Sequence, residues 1–171
     1  MLDVIRERWG EFVARGYNIM KGYYNRPEYD GKKFTADGWL RTGDLAEIDD
    51  EGHIVITGRI KDIIITAGGK NVSPIPLEEE IAKCPIVEHC VVVGDQRPFI
   101  GALVTLDPES LALWLPAHGL STETPVDRLA TNAAVREEIQ QYVDKANATV
   151  SRAESVRKFA VLGTQFTQEN K

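Results

Sequence analysis

Between Arg41 and Asn71 the chain reads RTGDLAEIDDEGHIVITGRIKDIIITAGGKN, and three short groups within it have residue types suited to chemistry. The first ends in Asp44. A carboxylate accepts several hydrogen bonds and suits a vicinal diol such as a ribose. Taken alone, an aspartate after Thr-Gly is a turn residue satisfying local backbone donors. The second is GR, at Gly58 and Arg59. A strand-end arginine is ordinarily solvated. If the two flanking strands pair, however, an acid for the diol and a fixed cation converge on one nucleotide. The third is TAGGKN. A P-loop needs a glycine, four residues and then Gly-Lys-Ser/Thr. Here Asn71 follows Lys70 and Ile64 stands at the upstream glycine position, so this is no P-loop. Gly68 and Gly69 still allow positive φ and a close backbone approach to a narrow ligand. A plain turn between strand and helix fits the spacing equally well.

These groups need strand ends and turns to hold them. GEFVARG, from Gly10 to Gly16, alternates between glycines and predicts a short strand. Gly22 and Pro27 break the segment that follows. DGWLRTGDLAEID and HIVITGR predict a hairpin joined by DEG. DIIIT predicts a third, buried strand. Ser73 and Pro74 predict an N-cap and first helical position, with Glu78, Glu79 and Glu80 near the positive end and a stop near Cys84. VEHCVVVG and IGALVTL predict adjacent strands with DQRPF as the turn. Asp107-Pro108 opens a short helix. Val135, Ile139, Tyr142, Val143, Ala146 and Val150 recur at helical spacing over 132–150. VRKFAVLG closes as a strand. The fold class expected is therefore α+β: a β-rich segment over 1–60, then a mixed one over 61–171. About 60 residues of mostly β structure bury only part of their surface, so the first segment is expected to be incomplete as a fold.

Composition narrows the function. The net charge is −6 at pH 7, which gives no support for nucleic acid as a partner. Local basic clusters can still meet phosphate, because net charge describes the whole chain. Cys84 and Cys90 are the only cysteines and read as reduced, buried thiols of a cytosolic protein. His53, His89 and His118 are scattered and match no ligand spacing, so no metal site is expected. No stretch approaches the roughly 20 apolar residues of a membrane span. The charged MLDVIRERWGEF start is no signal peptide.

Taken together, GYYNRPE, GWLRTGDLAEIDDEGHIVITGRIKDIIITAGGKNVSP and LEEEIAKCPIVEHCVVVGDQRPFIGALVTL resemble the adenylate-forming enzymes, and most closely the bacterial long-chain fatty acyl-CoA synthetases. RTGDL and GRIKD at this spacing form the specific part. The resemblance implies two half-reactions. A fatty acid and ATP give acyl-adenylate and pyrophosphate, and the thiol of coenzyme A then displaces AMP. It implies that Asp44 meets the ribose hydroxyls and Arg59 the same nucleotide. Lys61 would be the hinge about which a small C-terminal domain turns. Gly68, Gly69 and Lys70 would line the pantetheine route.

The family's Ser/Thr/Gly-rich phosphate loop, its acyl pocket and its magnesium-holding motif are missing from the chain. The adenylation lysine is expected beyond LGTQFTQEN, and Lys171 does not fill that role. The expectation is thus a fragment: the trailing part of a large adenylation domain over 1–60 and a mobile, incomplete C-terminal domain over 61–171. Alone it should be inactive and hold no tightly bound cofactor. The parent would use ATP and Mg2+, with ATP or AMP, a fatty acid, coenzyme A and the missing N-terminal domain as partners. It would lie in the cytoplasm or peripherally at the inner membrane surface, and exposed strands would favour a dimer. The alternatives are a non-catalytic nucleotide- or partner-binding module and a fragment of an acyl-AMP ligase.

Overall fold

A computed structural model describes residues 3–6 and 10–164. Lys171 and the TQEN stretch before it lie outside the described residues. Two compact units divide the chain, Met1–Ile63 and Ile64–Lys171.

The first unit is a four-stranded sheet, β1 (Asp3–Arg6), β2 (Glu11–Arg15), β3 (Leu40–Ile48) and β4 (Ile54–Arg59), in that spatial order with every neighbour antiparallel. The predicted β3–β4 hairpin forms. Its turn is tied by Asp49, whose carboxylate accepts from the N–H groups of Glu51 and His53 at 2.9 and 2.8 Å. Gly52 supplies the φ of +86° that this turn needs. Between β2 and β3 lies a feature the sequence did not suggest, a 3₁₀ turn at Pro27–Tyr29 running into one helical turn, α1 (Asp30–Lys33). Among the residues of this unit whose burial is described, the buried apolar ones are Val13, Ala14, Trp39 and Ala46. Ile54, Val55 and Ile56 of β4 are all exposed, so apolar side chains stand on both faces of that strand.

The second unit has one core. A two-stranded hairpin, β5 (Ile64–Ile65) with β6 (Asn71–Val72), precedes α2 (Ile75–Ile81). A three-stranded sheet follows, in which β7 (Val87–Val93) runs antiparallel to β8 (Ile100–Leu106) and β9 (Val156–Val161) runs parallel to β8. The connection from β8 to β9 carries α3 (Pro108–Ala117), α4 (Val126–Leu129) and α5 (Ala133–Ala148). In α5 the predicted stripe holds: Val135, Ile139, Val143 and Ala146 are buried. Asn132 caps it by accepting from the N–H groups of Ala134 and Val135. Asp107 caps α3, accepting from the N–H of Glu109 at 3.0 Å. Leu77 and Ile81 of α2 join the same core, and Glu78 accepts from the β7 N–H of Val92 at 2.7 Å. Asn147, near the end of α5, grips β9. Its amide donates to the Val156 carbonyl at 3.0 Å and accepts from the Val156 N–H at 2.7 Å.

Three expectations are corrected. DIIIT is not a buried five-residue strand. Residues Ile60–Asp62 form a 3₁₀ turn, only Ile64 and Ile65 pair, and Ile65 is exposed. α2 begins at Ile75 with Pro74 as its cap residue, one position later than the Ser73 cap predicted. It also ends earlier, at Ile81, with a turn carrying the chain to Cys84. Cys84 is buried and Cys90 half-buried, both as free thiols. Burial pushes Cys84 up to about 11. Burial, reinforced by the Glu78 carboxylate, pushes Cys90 up to about 12. No helix among the described residues is long and apolar enough to cross a membrane.

Candidate functional site

The β3–β4 register sets Asp44 opposite Arg59. Arg59 Nε donates to Asp44 Oδ1 at 2.9 Å, with the Asp44 side chain 24% and the Arg59 side chain 52% exposed. The ion pair occupies part of the carboxylate's acceptor capacity and leaves the remainder for a ligand.

Asp44 is presented by a bulge. Glu11 pairs with Leu45, and Val13 with Arg41, so Thr42, Gly43 and Asp44 stand opposite Phe12 alone. Gly43 makes this possible with a φ of +81°. Thr42 Oγ1 donates to the Phe12 carbonyl at 2.6 Å and accepts from the Asp44 N–H at 3.0 Å. Glu11 closes the other side. Its Oε1 accepts from the Gly43 N–H at 3.1 Å, and its Oε2 accepts from Arg41 Nη1 at 2.8 Å.

These groups line a cleft of about 540 Å³ together with Lys32, Lys33 and Lys61. Five cationic side chains thus face two carboxylates, those of Glu11 and Asp44. That local excess of positive charge, in a chain of net charge −6, suits a phosphate-bearing ligand. Glu11, Lys32 and Lys33 of this cleft carry no local signal in the sequence. An acid at the head of an alternating strand reads as a solvent-facing residue, and its partners lie about thirty positions away in the sequence, beyond the reach of local periodicity.

The glycine loop belongs to the second unit. It is a tight turn between β5 and β6. Thr66 N–H donates to the Lys70 carbonyl at 3.0 Å, and Gly69 N–H donates to the Thr66 carbonyl at 2.8 Å. Gly69 takes a φ of +74°, and no heavy atom lies within 4 Å of where its Cβ would be. Gly68 and Gly69 are exposed. Ala67 N–H donates to the Arg97 carbonyl at 2.9 Å, anchoring the turn to the β7–β8 loop. Lys70 Nζ lies 3.3 Å from Glu154 Oε1. A hydrogen bond from Ser151, with Lys70 adding to it, holds the Glu154 carboxyl below the usual carboxylate range. Lys61 sits in the 3₁₀ turn Ile60–Asp62 and is exposed. Among the described residues no group of three or more His, Cys, Asp or Glu side chains could hold a metal ion. His53 is engaged by Asp49, and His118 stacks on Trp114.

Comparison with known proteins gives the following. The family model described as the AMP-binding enzyme C-terminal domain matches residues 61–170. The long-chain fatty acid–CoA ligase FadD15 of Mycobacterium tuberculosis is 44% identical over 160 residues, covering 94% of this chain and 26% of the ligase. The long-chain fatty acid–CoA ligase ACSBG1 of Rattus norvegicus is 35% identical over 179 residues, covering 92% of this chain and 24% of its own. The chain therefore spans about a quarter of the length of the curated relatives it matches. Among solved structures, the adenylation domain of a carboxylic acid reductase from Segniliparus rugosus, in complex with AMP and a co-purified carboxylic acid, has a TM-score of 0.71 at 24% identity. That match covers 99% of this chain and 27% of that one, and it is a likeness of fold. The O-succinylbenzoate coenzyme A synthetase of Bacillus subtilis, in complex with ATP and a magnesium ion, has a TM-score of 0.64 at 26% identity over 95% of this chain and 30% of that one.

Proposed function

Because the chain belongs to the AMP-binding enzymes, whose C-terminal domain it carries over residues 61–170, we propose that it supplies the C-terminal portion of a long-chain fatty acid–CoA ligase. In this reading residues 1–60 are the trailing part of the large adenylation domain and 61–171 are the mobile C-terminal domain. The enzyme joins a fatty acid to ATP, which it takes with Mg2+, as an acyl-adenylate with release of pyrophosphate. It then passes the acyl group to the thiol of coenzyme A with release of AMP. Asp44 accepts hydrogen bonds from the ribose hydroxyls and Arg59 holds the same nucleotide. Lys61 is the hinge between the two half-reactions. Gly68 and Gly69 leave room for a slender thiol arm beside the backbone, and Lys70, tied to Glu154, holds the loop that borders it.

The observation that carries this reading is the Asp44–Arg59 pair, an acid and a guanidinium 2.9 Å apart on paired strands in one cation-rich cleft. The test is made in the full-length ligase containing this chain. Acyl-CoA formation is expected to require fatty acid, ATP and coenzyme A. Asp44→Ala removes the acceptor for two charge-assisted hydrogen bonds, about 2–4 kcal/mol together, and should raise the KM for ATP about 30- to 1,000-fold. A wild-type KM and rate would make Asp44 a turn residue only. Acyl-adenylate accumulating without thioester would mark an acyl-AMP ligase, and no ATP-dependent turnover would mark a non-catalytic module.

A further inference from the structure

Glu11 is a charged residue only 7% exposed. A buried carboxylate is costly unless its lone pairs are used. Both oxygens are used here, and both bonds go to the segment that presents Asp44. Oε1 takes the Gly43 N–H and Oε2 takes the Arg41 guanidinium. The bulge explains why an acid is needed. Opposite Phe12 the β2–β3 ladder skips from Arg41 to Leu45, so the Gly43 amide has no strand carbonyl in register. The Glu11 side chain supplies the acceptor that the ladder cannot. Gly43, at φ +81°, has no side chain of its own to fix the bulge, and a glycine there would otherwise be free to sample other conformations. The next residue is Asp44, whose own N–H is held by Thr42 Oγ1.

From this we infer that Glu11 is a positioning residue for the nucleotide site. Its carboxylate pins the Arg41–Asp44 bulge at both ends, through the Arg41 guanidinium and the Gly43 N–H, so that Asp44 stands ready for the ribose. The inference rests on the reading of Asp44 as the ribose acceptor. Glu11 touches no reacting atom and acts through Asp44. Removing it should therefore weaken nucleotide binding and leave the chemical step alone, and its effect should vanish when Asp44 is absent.

The experiment uses the full-length ligase and its fatty-acid-dependent ATP–pyrophosphate exchange. Glu11→Gln keeps the size of the side chain and an acceptor for Gly43, but turns an amide donor toward Arg41. It is expected to raise the KM for ATP about tenfold, equivalent to about 1.4 kcal/mol, with kcat within about twofold. Gly43→Ala disturbs the same bulge from the other side. No heavy atom lies within 4 Å of the added Cβ, so the change strains only the backbone. It should give the same signature, and it decides the matter if Glu11→Gln fails to fold. In an Asp44→Ala background each change should add less than about twofold, a strongly coupled cycle. The inference is overturned if both variants lower the melting temperature but leave the KM for ATP unchanged, or if their effects multiply fully with Asp44→Ala. A wild-type KM in Asp44→Ala alone would overturn the nucleotide reading and take Glu11's role with it. A raised KM there with full multiplication removes only the Glu11 inference.

Discussion

Replacing Asn147 should cost the second unit more than any single exposed contact, and the size of the cost follows from two distances. The Asn147 amide donates to the Val156 carbonyl at 3.0 Å and accepts from the Val156 N–H at 2.7 Å. Val156 is 4% exposed, so Asn147→Ala strands one backbone donor and one acceptor where water reaches them poorly. A stranded buried group costs about 1–3 kcal/mol. Asn147 itself is only half-buried, which lets solvent recover part of that, and about 2–4 kcal/mol for the pair is expected. For a unit of this size such a loss lowers the midpoint by roughly 8–30 °C. Asn147→Asp separates the two bonds. Aspartate can still accept from the Val156 N–H, but when ionised it faces the Val156 carbonyl with like polarity. That repulsion raises the folded-state pKa of the new carboxyl. Protonation relieves it, so the deficit should be full at neutral pH and shrink as pH falls through the raised value toward about 4. Thermal and urea unfolding, followed by circular dichroism from pH 7 down to 4, reads both effects. If Asn147→Ala stays within about 0.5 kcal/mol of the parent, the clasp adds nothing beyond an ordinary surface contact and the reasoning fails.

Two further outcomes are expected. Lys61→Pro fixes φ near −65° and disfavours the helical geometry of Ile60 within the 3₁₀ turn. If the proposed ligase reading and hinge role hold, in the full-length protein it should spare adenylation and cripple transfer to coenzyme A, measured separately with pre-formed acyl-adenylate in the second assay; equal loss in both would remove the hinge role. The thiols raised to about 11 at Cys84 and about 12 at Cys90 should resist iodoacetamide at pH 8 until guanidinium chloride unfolds the chain. Because the folded state keeps these protons longer than the unfolded one, stability should fall as pH climbs above the ordinary thiol value of 9.0; rapid labelling of the native protein at pH 8 would contradict this.

That the Asp44 and Arg59 strands are neighbours was legible, because a hairpin pairs its strands from the turn outward. Gly52 and the Asp49 carboxylate close that turn; the register it sets runs as far as Ala46 and Ile56, and a one-residue bulge at Thr57 then brings Asp44 opposite Arg59, a shift that alternation does not foretell. The α5 stripe was legible because Val135, Ile139 and Val143 recur one helical turn apart. What stayed hidden depended on residues distant in sequence. Glu11 reads as a solvated strand residue until Gly43 breaks the opposing ladder. DIIIT has the composition of a buried strand, yet the turn at Ile60–Asp62 and the short pairing with Asn71–Val72 use up its length. The single turns α1 and α4 are too short to show a period. At the glycine loop, the spacing left a turn and a ligand approach equally open; the turn geometry is now visible, and Glu154, the partner of Lys70, was beyond any local signal.

The parallel pairing of β8 with β9 has a consequence for how the chain is born. β8 ends at Leu106 and its partner begins at Val156. A ribosome adding roughly 5–20 residues each second needs several seconds to make the roughly fifty residues between them. During that interval β7 can already cover one side of β8, since the two are joined by a short loop. The other side, where Ile100 and Val104 will meet β9, must wait with its backbone groups unpaired. Synthesis speed through 107–155 therefore governs how long an adhesive strand is on offer to neighbouring nascent chains. Slower translation of α3 to α5 would be felt as lost soluble yield, with no change in the finished fold.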